Sequence, residues 1–393
     1  MTSAARLRRC ADVESFREAA HRRLPQIFFD YLDGGASAET TLRANCADFD
    51  RFQLRPCVLR DVSSCKLDAE FLGGHHDLPV MLGPIGSLGV FRADGEAASF
   101  RAAKCAGIPA CLSSFTVTRP ERLSATLGAG AAFQLYALKD RDRTEAVLDR
   151  VSGCGFGTLF VTVDTAVSGI RERDIRNGLR MLSQPSLRMV LDLLSHPSWL
   201  ADIARAHPVR MALAEDWSEA GEGYLEQAAF LARQIDPAFD WQGLAWLRAR
   251  WHGRLVVKGI LTADDALRCV DQGVDGIVVS NHGGRQLDGV SSSITALGDI
   301  AAAVSGRTEI LLDSGIRRGG DVAKALALGA SACLLGRAYV YGLVAAGEAG
   351  IAAVLSSIRA ELEVTLALLG LRSIRELRDA GPGIVRQISG PDC

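Results

Sequence analysis

Lysine is nearly missing. Only Lys66, Lys104, Lys139, Lys258 and Lys324 occur in 393 residues, so 39 of the 44 basic residues are arginine and any lysine inside an apolar run calls for a reason. Charge of one sign is missing too. A formal net charge of −2 gives no sign of a nucleic-acid partner. Aromatic residues make up 6% of the chain, which leaves no platform for stacked bases. The ten cysteines are scattered without a CxxC pair, so neither a disulfide framework nor a metal centre is expected. They read as reduced, mostly buried thiols of a cytoplasmic protein. No apolar run is long enough for a membrane span, and MTSAARLRRCADVESFREAA lacks the apolar stretch of a signal peptide. The GxGxxG fingerprint of a dinucleotide fold is absent.

What is present is a rhythm. Hydrophobic residues reach 48% and there are 40 glycines, a balance that suits a buried parallel sheet with tight turns. Residues 1–75 read as a helical cap. Val13–Arg23 is one helix, Leu24-Pro25 breaks it, and a second runs from Gln26 to Asp33-Gly34-Gly35. From Leu78 onward, short apolar runs alternate with amphipathic stretches of helical length. The runs are LPVMLGP (78–84), PACLSS (109–114), AAFQLY (131–136), TLFVTVD (158–164), RLVVKGI (254–260), DGIVVSN (275–281), TEILLDSG (308–315) and ACLLGRA (332–338). Eight such strands alternating with helices predict an α/β chain of one (β/α)8 TIM barrel over 1–393, with an open doubly wound sheet as the alternative. The rhythm breaks once, after strand four, where residues 165–240 form a long insertion. It carries Leu187-Arg188-Met189-Val190-Leu191-Asp192-Leu193-Leu194 and Trp199-Leu200, with Arg180, Arg188, Arg205 and Arg210 interspersed. A lid or oligomer contact is the bland alternative; interfacial membrane docking over 178–215 is the sharper one.

The strand ends carry the chemistry. In a barrel they meet at the C-terminal mouth. They read Gly83-Pro84-Ile85-Gly86, Ser113-Ser114-Phe115, Gln134-Leu135-Tyr136, Thr162-Val163-Asp164, Lys258-Gly259, Ser280-Asn281-His282, Asp313-Ser314-Gly315 and Gly336-Arg337. One polar end could be a helix cap, but eight in a ring are hard to explain that way. Lys258 follows Leu255-Val256-Val257, so it needs an anionic partner. That partner is either Asp164, in a structural ion pair, or a charge developing on a cofactor. Of the histidines, His21, His75, His76, His196, His207 and His252 sit on an exposed helix or in loop and turn contexts; His282 alone ends a strand among glycines. Asp164 could stabilise its imidazolium. Arg285, three residues on, offers a planar fork for a carboxylate. The turns Gly315-Ile316-Arg317-Arg318-Gly319-Gly320 and Gly336-Arg337 fall where barrels bind phosphate. A phosphorylated cofactor with a flat ring against Gln134, Thr162 and Lys258 fits FMN. Pyridoxal phosphate would instead need Lys258 as a Schiff base.

These residues together resemble the FMN-dependent L-2-hydroxy acid oxidases and dehydrogenases. The resemblance runs from Leu24-Pro25 to about Arg375 and rests on Asp30-Tyr31, FQLY (133–136), TVD (162–164), Lys258-Gly259, SNHGGRQLDG (280–289) and DSGIRRGGD (313–321). It implies that His282 is the base and Asp164 its partner. It places Arg285, Arg171 and Tyr31 at the substrate carboxylate, Tyr136 near the substrate oxygen, and Lys258 beside the N1–C2=O edge of the flavin. Pro84, Ile85, Gly86, Ser113, Gln134, Thr162 and Ser280 would contact the ring and ribityl chain. Asp313, Gly315, Arg317, Gly336 and Arg337 would hold the ribityl chain and phosphate. The resemblance also implies a homo-oligomer, a tetramer in many members.

Three positions depart from common members. Phe115 stands where some carry Trp or Tyr, Gly86 where plant members have Ala, and Ser314 where many oxidases have Gly. Phe115 and Gly86 are expected to make room for a larger substituent. SGIRERDIRN (168–177) and the HPSW segment look most like the mandelate dehydrogenase branch, with bacterial L-lactate dehydrogenase close behind. The expected reaction is therefore (S)-mandelate to benzoylformate, with electrons leaving for a quinone-type acceptor from a position peripheral on the inner membrane face. L-lactate dehydrogenation and an oxygen-using oxidase are the alternatives. Outside this class stand a redox-neutral barrel lyase or isomerase and a non-catalytic flavin scaffold.

Overall fold

The computed structural model describes residues 10–178, 186–205 and 209–388. Arg180, His207 and parts of 178–215 lie outside them. The apolar runs form β1 (Val80–Leu82), β2 (Cys111–Ser113), β3 (Ala132–Leu135), β4 (Thr158–Thr162), β5 (Arg254–Ile260), β6 (Gly276–Val279), β7 (Glu309–Leu312) and β8 (Ala332–Leu335). All pair in parallel with their sequence neighbours, and β8 pairs back onto β1. A bridge between Leu82 and Ala110 joins β1 to β2, with the Leu82 N–H donating to Pro109 O at 3.0 Å. The ring closes, so the open-sheet alternative is set aside. Helices cover the outer face and side chains fill the interior, which is why the strands read as unbroken apolar runs. Phe133, Phe160 and Met81 are fully buried, each worth about 1.5–3 kcal/mol relative to exposure.

The cap helices are Val13–His21 and Gln26–Asp33, with Pro25 at the start of the second as its sequence predicts. A third helix, Thr40–Ala47, follows. One feature carried no local signal. The strand Val385–Gln387 returns from the C-terminal region to pair antiparallel with Phe52–Leu54, so the two ends of the chain share a small sheet.

The insertion contains the helices Glu172–Arg176, Leu187–Leu194, Pro197–Arg205 and Tyr224–Gln234. Part of it builds a small separate core of Leu138, Met211, Ala214, Ala220 and Leu231, against which Phe115 packs. Trp199 packs at a tilt against Phe28 of the cap, with ring centres 4.8 Å apart, and donates Nε1–H to Val90 O. The insertion is thereby fastened to the rim of the barrel.

The expectation of mostly buried cysteines needs correction. Cys111, Cys269 and Cys333 are buried, but Cys46, Cys57 and Cys105 are exposed, because they fall on the cap and on helix ends rather than in strands.

Candidate active site

The polar strand ends converge on one cleft of about 290 Å³ at the C-terminal mouth, which is also walled by Tyr31 from the cap and by Arg171, Ala232 and Ile235 from the insertion. Every residue given a catalytic, substrate or cofactor role by the resemblance borders this cleft except Asp164 and Ser280, which are hydrogen-bonded to His282 and Lys258.

His282 has a left-handed backbone, with φ at +58°. This turn and the glycines after it swing the ring off the end of β6. Its Nδ1 lies 2.9 Å from Asp164 Oδ1. Burial raises the Asp164 carboxyl, but His282 and then Lys258 outweigh it and hold the group below the usual carboxylate range. A carboxylate on Nδ1 directs Nε2 to act as the proton acceptor.

Lys258 is not paired with Asp164. Its Nζ lies 2.9 Å from Asp313 Oδ2 and donates to Ser280 Oγ at 2.8 Å. Lys258 and Asp313 stand at the ends of alternate strands, whose inward side chains share a layer. Asp164, beyond the end of β4, leans to the β6 loop instead. Burial works against the Lys258 charge, yet Asp313 and Asp164 together raise its pKa above the ordinary lysine value.

The same cleft is lined by Arg285 and Arg171. Arg285 donates Nη1–H to Tyr31 O and Gly34 O, both at 2.8 Å, and its guanidinium lies 5.1 Å from the Tyr31 ring centre. Arg171 approaches the same ring at 5.9 Å. Burial, then Arg171 and Arg337, push the Arg285 pKa down to about 9. Crowded cations of this kind favour an anion between them. The Tyr136 hydroxyl is pushed up by burial and by Asp164, so it remains a hydrogen-bond donor.

Gly86 also has a packing role. A Cβ there would lie 2.9 Å from the Phe115 Cβ. The missing side chain lets the β2 loop come close, and Gly86 and Phe115 both line the cleft. Phe115 in turn meets Tyr136 edge-on at 5.5 Å.

The cleft is also lined by Gly315, Arg317 and Gly336, the last preceding the helix Arg337–Ala346. Arg337 lines the cleft but is heavily engaged: its guanidinium donates to Leu32 O, Gly283 O and Gly34 O at 2.8–3.0 Å, tying cap to barrel.

The wall has orphaned polar atoms. Gln134 Nε2 and Thr162 Oγ1 are buried without a hydrogen-bond partner among the described residues, while Ser113 Oγ–H holds Gln134 Oε1 at 3.0 Å and so fixes the amide. Buried donors left unmade cost about 1–3 kcal/mol each. The carbonyls and ring nitrogens of a flavin would satisfy them, with Lys258 at the same wall and a glycine-rich turn for its phosphate. FMN fits the residues present.

Residues that sequence reasoning passed over support the site from behind. Asn45 and Asn281 exchange side-chain amide hydrogen bonds at 2.8 and 2.7 Å. Gln286 donates to Asp164 O and Val167 O. Asn281 and Gln286 lie inside the quoted motif; Asn45 had no local signal.

The closed barrel, the histidine–aspartate pair, the arginine wall and the cofactor cradle define a flavin-dependent oxidoreductase acting on an anionic hydroxy compound. The model of the FMN-dependent dehydrogenase family matches residues 20–382, and the chain belongs to that family. It is 43% identical over 363 residues to an L-lactate dehydrogenase of Ectopseudomonas mendocina, covering 92% of this chain and 96% of that protein. The crystal structure of the monotopic membrane protein (S)-mandelate dehydrogenase superposes with a TM-score of 0.92 at 39% identity, covering 97% of this chain and all of the other. A soluble mutant of the membrane-associated (S)-mandelate dehydrogenase from Pseudomonas putida gives 0.81 at 37% identity, covering 96% and 99%. The protein is an FMN-dependent 2-hydroxy acid oxidoreductase.

Proposed function

We propose that the chain oxidises L-lactate to the 2-oxo acid. The observation that carries the reaction is that His282, backed by Asp164, lines one cleft together with Arg285, Arg171 and Tyr31. Arg285 and Arg171 bind the carboxylate and orient Cα. Tyr136 donates to the substrate oxygen. His282 Nε2 takes a proton, and Asp164 stabilises the resulting imidazolium. FMN, when bound, would take up the two electrons together with the second hydrogen that the substrate loses. Lys258 keeps a positive charge at the cofactor wall, where reduction adds negative charge.

Two observations favour lactate over the aromatic acid expected from sequence. The curated relatives at 42–44% identity are named L-lactate dehydrogenase. Phe115 occupies the space beside Gly86. (S)-Mandelate is the second reading, supported by the likeness to the mandelate dehydrogenase structure and by the apolar flank of Phe91, Phe115 and Ile235. Anaerobic bleaching of the bound flavin with each acid in parallel tests the choice. Fast bleaching by L-lactate is expected; bleaching by (S)-mandelate alone overturns it.

We further propose that the insertion docks on a membrane surface and that the electrons leave for a quinone-type acceptor there. In the helix Leu187–Leu194 only Met189 is buried, while Leu187, Leu191 and Leu194 are exposed, as are Val167, Ile170 and Leu287 near the mouth. Apolar residues on one face of such a helix suit an interfacial position. Among the described residues no helix is long and apolar enough to cross a membrane.

A further inference from the structure

Ser314 occupies a conformation that a glycine would adopt freely. Its φ is +73°, in the left-handed region that is costly for any side chain. The side chain is nonetheless buried and used at both ends. Its hydroxyl donates to Asp313 Oδ1 at 2.8 Å and accepts the Gly283 N–H at 3.0 Å. The other oxygen of Asp313 holds Lys258 Nζ at 2.9 Å. Lys258 also donates to Ser280 Oγ, which accepts the His282 N–H at 3.1 Å. Ser314 therefore closes a circuit from Lys258 through Asp313 to Gly283, then back through His282 and Ser280.

We propose that Ser314 is a positioning residue that sets how much of the Lys258 charge is offered to the cofactor. By donating to Oδ1, its hydroxyl draws negative charge away from the Oδ2 that faces Lys258 and fixes the carboxylate in place. Without that hydroxyl, Asp313 neutralises Lys258 more fully, and the added negative charge of the reduced cofactor meets a weaker cation. The strained backbone is the local cost of holding this hydroxyl between two loops. The proposal rests on FMN occupying the cleft and not on which hydroxy acid is oxidised.

The test compares FMN-loaded wild type, Ser314→Ala and Ser314→Gly without substrate. The midpoint potential of the bound flavin is measured by equilibration with a reference dye, alongside thermal unfolding. Both variants are expected to shift the reduction equilibrium against the reduced flavin by about threefold to tenfold, tenfold being about 30 mV for a two-electron couple. Their stabilities should differ, because Gly relieves the strained φ and Ala does not. Changed stability with an unmoved or raised potential would make Ser314 merely structural and overturn the proposal. Variants that lose FMN while wild type keeps it would assign Ser314 to cofactor retention, which also overturns it. Failure of wild type to hold FMN would instead remove the cofactor reading itself.

Discussion

His282 Nδ1 and Asp164 Oδ1 stand 2.9 Å apart although 118 residues separate them in the chain. The contact leaves Nε2 as the basic nitrogen and places a negative charge behind the imidazolium. Replacing the ring removes the base while the cofactor wall of Gln134, Thr162 and Lys258 stays intact. His282→Ala should retain FMN and lose about 10²–10⁴-fold in turnover. Flavin absorbance of the purified variant and its anaerobic bleaching by L-lactate check both halves, and near-normal bleaching would remove His282 as the base.

Arg285 spends Nη1 on two backbone carbonyls of the cap. Its remaining donors form the fork available to a carboxylate. Lysine cannot brace the cap and present two parallel donors at once. Loss of one charge-assisted hydrogen bond is worth about 1.5–3 kcal/mol, so Arg285→Lys should weaken substrate binding about tenfold to a hundredfold. Steady-state kinetics and binding of a non-reacting carboxylate such as oxalate measure this; unchanged KM and affinity would dismiss the clamp.

Asp33 links the cap to the rest of the fold. It accepts from Arg17 at 2.6 and 2.9 Å, from the Tyr341 hydroxyl at 2.7 Å and from Arg173 at 3.2 Å. Burial raises its pKa, but the Arg17 and Tyr341 hydrogen bonds outweigh it and hold the carboxyl far below the usual range. With the folded value below the unfolded one, its stabilisation is fully present above about pH 4 and is lost as pH falls further toward the folded value. Asp33→Asn should lower stability at neutral pH by about 1.5–3 kcal/mol, because it removes charge-assisted hydrogen bonds from the partly exposed Arg17 and Arg173, which keep Glu14, Asp30 and Glu39 as partners. The variant should also flatten the acid limb. Unfolding midpoints of both proteins across acid and neutral pH test this, and parallel acid limbs would contradict it.

Leu191 and Leu194 are 59% and 62% exposed on the helix Leu187–Leu194. If this face docks, the double change Leu191→Asp, Leu194→Asp should reduce co-sedimentation with phospholipid vesicles on the order of a hundredfold, since each buried leucine contributes about 1.5–3 kcal/mol. Turnover with a soluble acceptor should not change. Wild-type protein that ignores vesicles would end the docking reading.

The sequence by itself determined the barrel, because strands buried on both faces must be apolar throughout and their ends must be polar where they meet water and ligand. It also determined which side chains line the mouth, since position along a strand decides that locally. Tertiary structure alone decided who pairs with whom. Lys258 could have met Asp164 or Asp313, and the layer shared by alternate strands selected Asp313. Gly86 lets Phe115 approach so closely that a Cβ there would lie 2.9 Å from the Phe115 Cβ. Arg337 was expected at a phosphate and is held largely by carbonyls of Leu32, Gly34 and Gly283. Composition and periodicity report a residue's neighbours along the chain, whereas these outcomes depend on loops more than a hundred residues apart arriving at the same few ångströms.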